Sequence, residues 1–238
     1  AEVGLRCLLG FICNNFPNSP NPPDSGQILN NSEKHLKRFD GRDLITPSLA
    51  VSIPECAGDS MLKAVYERCR EAGRVFQTHV NEHLVAVERS IVARRLRPLE
   101  HLAKAGALGP ATVCAHSTLV TPLELNLLRD SGAAVSYNPV ASCWKGNAVC
   151  PAWQMQAMDI RLGLGTDGTR SDGFRLADAA GAAQRLGYGL GMGDFSCGGG
   201  NLWLEMASAG GADILGLGQT TGAIAPGLAA DFLVVDLE

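Results

Sequence analysis

What constrains this chain most is an alternation. Six β-prone runs, at residues 5–12, 45–53, 74–78, 111–115, 133–137 and 160–165, are each followed by helix-compatible sequence, with strand starts roughly 22 to 40 residues apart. Each repeat reads as a βα unit, and successive βα units lay their strands side by side and parallel, because the helix returns the chain across the sheet. A parallel sheet is covered on both faces, so it needs a large apolar core. A chain of 238 residues, 46% of them hydrophobic, supplies one. Open or closed, such a sheet places ligands at the carboxyl ends of its strands. Three of the six ends carry His79, His116 and Asp167.

The punctuation between strands is mostly helix signals. Helices are expected at 33–39, 61–72, 84–96, 98–105, 123–130, 153–158, 176–190 and 202–215. Asp59 and Ser60 precede the second of these as caps. Thr121 caps the helix from 123, with Pro122 in its first turn, and Gly73 and Gly132 stop two others. Residues 14–31, rich in Asn, Pro and Ser, read as a long loop or lid, and the first few residues as a helix end. Gly198-Gly199-Gly200 has no following Lys-Ser/Thr and no preceding strand, so it is not a phosphate loop. The tail differs: a turn at 222–227 and then a β-strand at 230–236, after two helices and outside the alternation.

Charge and cysteine usage exclude several classes. Net charge is −4 and the pI about 5.7, with no basic patch for nucleic acid or an anionic membrane. Apolar runs fall far short of the roughly 20 residues of a spanning helix. The opening residues do not read as a signal peptide. The eight cysteines show no Cys-x-x-Cys spacing, and several sit in apolar runs such as Val113-Cys114-Ala115. The expectation is a cytoplasmic protein with reduced, buried thiols.

The run Arg74-Val75-Phe76-Gln77-Thr78 ends directly in His79, and Glu82 follows three residues later. Neutral imidazole binds zinc or iron well, and a carboxylate beside the ion is placed to move protons. From the residues alone, each of these has a structural alternative. His79 and His116 also read as loop histidines, Glu82 as a charge at the start of the next helix, and Asp167 as a turn former with Gly168. Trp144, Tyr137 and Trp153 suit either stacking on a flat heterocycle or packing. Asp172 and Arg175 suit either a polar substituent or helix capping. His83 reads as a residue outside the chemistry.

At these positions the sequence resembles the amidohydrolase superfamily, in its branch of cytosine/guanine-type deaminases and triazine chlorohydrolases. Thr78-His79-Val80-Asn81-Glu82 resembles the family's His-x-x-Glu after the fifth strand. Ala115-His116 resembles its histidine after the sixth, and Gly165-Thr166-Asp167 its Gly-Thr-Asp after the eighth. The helix from Met206 and the segment from Gly222 through Pro226-Gly227 to Ala230-Asp231 resemble the return from the barrel to a small β-sandwich. The resemblance implies a (β/α)8 TIM-type barrel, here strands 3–8 of it, over residues 1–218. A β-sandwich segment would begin in 219–238.

It also implies one divalent metal, zinc first and iron second, held by His79 and Asp167. Glu82 would move protons, and Asp167 would take one from the attacking water. His116 would stabilise developing charge and contact substrate; Trp144 and Asp172 join it as substrate contacts on their own residue chemistry, not through the resemblance. The implied reaction is deamination of a purine, pterin, pyrimidine or triazine. Loss of chloride or alkylamine from a triazine-like ring is the second reading, and a catalytically silent fragment the third. Members of this branch are often homodimers.

Departures from the family pattern are specific. A His-x-His pair after the family's first strand has no counterpart among His35, His79, His83, His101 and His116. The chain therefore reads as an internal portion of a longer protein, expected to hold a metal poorly by itself. Around Asn138-Pro139-Val140-Ala141-Ser142-Cys143 the family's Pro-x-Ser-Asn has its serine one place late and no asparagine after it. Ser171-Asp172 stands where Ser-Asn is common. Those loops shape the pocket, so the heterocycle does not transfer with the fold.

Overall fold

The structure, a computed structural model, describes residues 4–16, 24–169 and 171–236. The six expected strands form one parallel sheet: β1 (Cys7–Ile12), β2 (Ile45–Ala50), β3 (Phe76–Val80), β4 (Thr112–His116), β5 (Ala134–Tyr137) and β6 (Arg161–Leu164). Their order across the sheet is their order in sequence, β1 to β6. A doubly wound open sheet reverses its order at a switch point, whereas a barrel never does. The sheet is thus an arc of a (β/α) barrel. Register carries each functional strand end to the same level, with His79 opposite Ala115 and Val80 opposite His116.

Helices alternate with the strands: α1 (Ser25–Phe39), α2 (Asp59–Glu71), α3 (Leu84–Arg94), α4 (Pro98–Lys104), α5 (Pro122–Ser131), α6 (Pro139–Lys145), α7 (Ala152–Ala157) and α8 (Gly173–Gln184). Thr121 and Glu124 cap α5 reciprocally, and Gly132 ends it in the left-handed region at φ 70°. Leu49, Leu62, Phe76, Leu99, Leu102, Leu128 and Tyr137 are fully enclosed between strands and helices. All eight cysteines are free thiols. Cys13, Cys69, Cys114, Cys150 and Cys197 are buried, Cys56 is half-buried, and Cys7 and Cys143 are exposed.

Four expectations need correction. The loop expected over 14–31 gives way to α1 at Ser25, because Asp24 accepts hydrogen bonds from the amides of Gly26 and Gln27. Residues 17–23 of that stretch, like residues 1–3, lie outside the described residues. The loop after Asn138 is the helix α6, which Pro139 opens at its first position. The long final helices break at π turns, Arg185–Gly189 and Met206–Gly210, leaving short pieces at Gly200–Glu205 and Gly211–Ile214. Residues 230–236 have no ladder partner among the described residues, and a strand needs one to satisfy its amides. Asp231 does tie that tail to the start of the sheet, accepting from Arg6 Nε at 2.6 Å.

Candidate active site and metal-ligand cluster

The ends of β3, β4 and β6 bring Glu82, His116 and Asp167 together, with one ligand atom of each within 4.8 Å of the others. Backbone geometry helps aim them. His116 has φ 72° and Asp167 φ 55°, the left-handed region that non-glycine residues avoid at a cost of about 1–2 kcal/mol. Asn81, just before Glu82, has φ 49°. Each strand therefore turns sharply as it leaves the sheet, and its functional side chain is carried over the mouth.

His79 lies beside this cluster. Its ring stacks on that of His116, centroids 5.3 Å apart and planes 24° apart. His79 Nδ1 is 2.5 Å from the carbonyl oxygen of Ser52. A carbonyl only accepts, so Nδ1 carries the proton and Nε2 keeps its lone pair. His116 is arranged the other way. Ser136 Oγ donates to Asn138 Oδ1 at 2.9 Å, and Asn138 Nδ2 donates to His116 Nδ1 at 3.3 Å. The proton of neutral His116 then sits on Nε2. That atom is buried without a hydrogen-bond partner, 3.8 Å from a carboxylate oxygen of each of Glu82 and Asp167. Two histidines side by side thus present opposite tautomers, His79 offering a lone pair on Nε2 and His116 a proton on Nε2.

Lys145, the last residue of α6, completes the cluster. Its Nζ donates to Glu82 Oε1 and to Asp167 Oδ2, each at 2.8 Å. Asn147 Nδ2 adds a bond to Glu82 Oε1 at 3.3 Å. Burial pushes the Glu82 and Asp167 carboxyls upward, but the Lys145 hydrogen bonds and neighbouring positive charge outweigh it. Both are held below the usual carboxylate range. The two hydrogen bonds raise Lys145. Burial lowers His116 to about 4, so it is neutral at pH 7.

The loops behind Glu82 are rigidly held. Asn81 Nδ2 donates to the Leu119 carbonyl and to Glu124 Oε1, and Thr118 Oγ1 lies 2.8 and 2.7 Å from the carbonyl oxygens of Asn81 and Glu82. Glu124, fully buried, also receives Arg97 Nε at 2.8 Å and the Thr121 amide at 2.9 Å. Both of its carboxylate oxygens are occupied, the condition for a buried charge to be tolerated.

The remaining sequence candidates separate. Trp144 is 75% exposed and shares a hollow of about 410 Å³ with Val140, Lys145, Asp167 and Arg175, where its face is open to a flat ring. Asp172 accepts from the amides of Phe174 and Arg175, so its carboxylate caps α8. Asp167 also takes the Gly168 amide on Oδ1, so the turn-forming alternative holds alongside its place in the cluster. His83 caps α3 through its Nδ1, which accepts from the Ala86 amide. Tyr137 is buried, bonded to the Ala180 carbonyl and to Gln184, and faces Trp203.

Sequence reasoning gave no role to Asn138 or Lys145. The Pro139 signal for α6 was the one cue that would have put Lys145 on a helix aimed at the mouth.

Chemically, two carboxylates and the lone pair of His79 Nε2 form a donor set that suits a divalent ion such as zinc or iron. A lysine ammonium lodged between two carboxylates indicates a place built around positive charge, and the orphaned His116 Nε2–H is a donor that lacks an acceptor oxygen.

Comparison with known proteins agrees with this geometry. Over 236 residues the chain is 28% identical to a 5-methylthioadenosine/S-adenosylhomocysteine deaminase of Saccharophagus degradans, covering 99% of this chain and 52% of that protein. It superposes with a TM-score of 0.89 on a zinc-bound adenosine deaminase from Xanthomonas campestris, at 24% identity, covering 97% of this chain and 52% of that one. With a zinc-complexed atrazine chlorohydrolase from Arthrobacter aurescens the TM-score is 0.85 at 17% identity, over 97% and 53% of the two chains. The chain spans about half the length of these relatives. The amidohydrolase family pattern matches residues 1–238, and the chain belongs to the amidohydrolase family.

Proposed function

We propose that the protein containing this chain is a metal-dependent hydrolase that removes an amine from a nitrogen heterocycle. The carrying observation is the convergence of Glu82, His116 and Asp167 within 4.8 Å at the mouth of a parallel sheet. Deaminases among its relatives support the direction of the chemistry.

His79 Nε2 and Asp167 would hold the divalent ion, with zinc as the first expectation. When bound, such an ion lowers the pKa of a water from 15.7 to about 7 and so supplies a nucleophile at neutral pH. The chain's own residues do the rest. Asp167, held ionised, accepts the proton of the attacking water. Glu82, also ionised at rest, carries the other proton of that water to the ring nitrogen, and the proton held by Asp167 then passes through Glu82 to the amine, which leaves as ammonia as its C–N bond breaks. His116, neutral and with its proton on Nε2, donates a hydrogen bond to the oxygen that is adding to the ring. Trp144 stacks on the heterocycle. Asp172 caps α8 through Oδ1 and would meet a polar substituent of the substrate through its other oxygen. The setting carried by this reading is cytoplasmic, with a homodimer as the assembly. Residues 219–238 begin a β-sandwich segment.

The test is ammonia release across adenosine, guanine, 5-methylthioadenosine, S-adenosylhomocysteine, a pterin and a chlorotriazine, read for chloride as well. Ammonia from a purine supports the proposal. Chloride alone assigns the other leaving group, and no release from any compound ends the enzymatic reading. In the active protein, Glu82→Gln is expected to lower turnover by about 10²–10⁴-fold, the usual worth of a positioned proton carrier. Its metal content should be unchanged, and survival of activity would remove Glu82 from its role.

A further inference from the structure

Helix α3 is apolar on the side it turns to solvent. Val87 and Ser90 are buried against the core. On the opposite side Leu84, Val85, Ile91 and Val92 are all exposed, Val92 to 76%. A surface helix ordinarily places charged and polar residues there. A contiguous apolar stripe left open on a folded domain marks a contact surface. Glu88 and Arg89 interrupt this stripe at its middle, and both are exposed. Among the described residues neither side chain has a hydrogen bond or an ion pair. Consecutive positions on a helix do not face each other, so these two charges do not neutralise one another.

The order of the residues along α3 is self-complementary. Across a two-fold axis the same patch meets itself, residue i on residue j and j on i. Let two copies of α3 run antiparallel, with the axis passing between Glu88 and Arg89. Val85 then meets Val92 of the partner subunit, and Val92 meets the partner's Val85. Glu88 meets the partner's Arg89, and Arg89 meets the partner's Glu88, so two ion pairs form where a single copy has none. Large side chains fall opposite small ones, Leu84 on the partner's Ala93 and Ile91 on the partner's Ala86. That match lets helix surfaces interdigitate at the usual separation of roughly 8–10 Å between axes. Moving the axis by half a residue either way sets Glu88 against its own copy, or Arg89 against its own.

We propose that α3 is the two-fold contact through which two copies of this chain associate. The helix is only about 16 Å long, and a stable interface buries about 800 Å² on each partner. The apolar surface continues past its first turn, where Leu84 lines a hollow of about 490 Å³ with Val120, Val149 and Tyr188. Arg89 also lines, with His79 and Glu82, a hollow of about 260 Å³ at the edge of the strand-end cluster. Pairing it with the partner's Glu88 would fix one wall of that hollow. The inference rests on the proposed function only for a homodimer as the assembly, and not on the deaminase chemistry.

The test is sedimentation velocity on the protein containing this chain, across the micromolar range, with circular dichroism to check the fold of each variant. A dimer is expected. Val92→Glu should weaken association at least about tenfold, because it buries a charge against an apolar partner. Glu88→Arg and Arg89→Glu each set like charges across the axis and should weaken it by about tenfold. An equimolar mixture of these two reversed proteins restores opposite charges at both crossings. It should return the original dimer content, as should the double variant. Mixing does not repair a misfolded chain, so recovery separates pairing from damage to the fold. A protein that stays monomeric at every concentration overturns the inference. So does a dimer indifferent to all three substitutions, or one whose reversed variants do not recover when mixed. A monomer that releases ammonia overturns this inference and leaves the deaminase reading standing. A dimer with the expected pattern and no ammonia does the reverse.

Discussion

At the scale of single residues, the site works through small choices of proton position. Ser52 and Asn138 set His79 and His116 to opposite tautomers, although the two rings are stacked. Neither partner is near its histidine in sequence, so the sequence identifies the imidazoles but not their roles. Lys145 is the other residue-level finding. It supplies, between Glu82 and Asp167, positive charge that a divalent ion would otherwise bring. Lys145→Met is therefore expected to bind zinc more tightly, by about fivefold or roughly 1 kcal/mol, the upper range for a part-exposed ion pair. Competition against a chelator reads this directly, and weaker binding would make Lys145 a support rather than a competitor.

His116 carries a pH signature. Its folded value is lowered to about 4 by burial, from 6.5, so the unfolded chain binds a proton first as pH falls. Its contribution is fully present above about pH 6.5 and is lost between there and about 4. Urea midpoints from pH 7.5 to 4 should fall in that window, and a His116→Asn variant should show a shallower slope.

At the scale of elements, caps and close approaches explain where the reading succeeded and where it failed. Thr121-Pro122 and Gly132 announced α5 because each acts on the backbone within a few residues of itself, Thr121 by accepting the Glu124 amide on Oγ1. Asp24 and Pro139 give the same kind of signal for α1 and α6, and were outweighed by the loop-like composition around them. The packing of β6 is different in kind. A Cβ on Gly163 would sit 2.7 Å from Ile214 Cδ1 and 2.9 Å from the Gly211 Cα, so the final helical segment lies directly on the strand. Gly163→Val should destabilise the protein by about 1–3 kcal/mol through overpacking, seen as a lower denaturation midpoint. An unchanged midpoint would mean that the helix yields freely. Nothing in the local sequence distinguishes this glycine from the many in loops, because its constraint comes from residues some 50 positions away.

At the scale of the whole molecule, stability is expected to be uneven. β3, β4 and β5 are flanked on both sides by strands and covered by helices, whereas the tail from 228 leaves Phe232, Leu233 and Val234 exposed and without ladder bonds. Amide exchange should be slowest in β3–β5 and fast, within minutes, over 230–236. Equal protection in the two regions would contradict that ranking. No helix among the described residues is long and apolar enough to cross a membrane.

The sequence by itself determined the parallel βα architecture and the strand ends, and it marked His79, Glu82, His116 and Asp167 there as candidates. Those follow from hydrophobic periodicity and from where a strand stops, which are local properties. Only the tertiary structure decided that the strands run in unbroken order, that Lys145 and Asn138 reach the cluster, and that α3 turns Val85 and Val92 to solvent. Hydrogen bonds and charge pairs between distant segments depend on distances that the backbone sets only after the sheet has curved. A linear pattern carries no record of those distances.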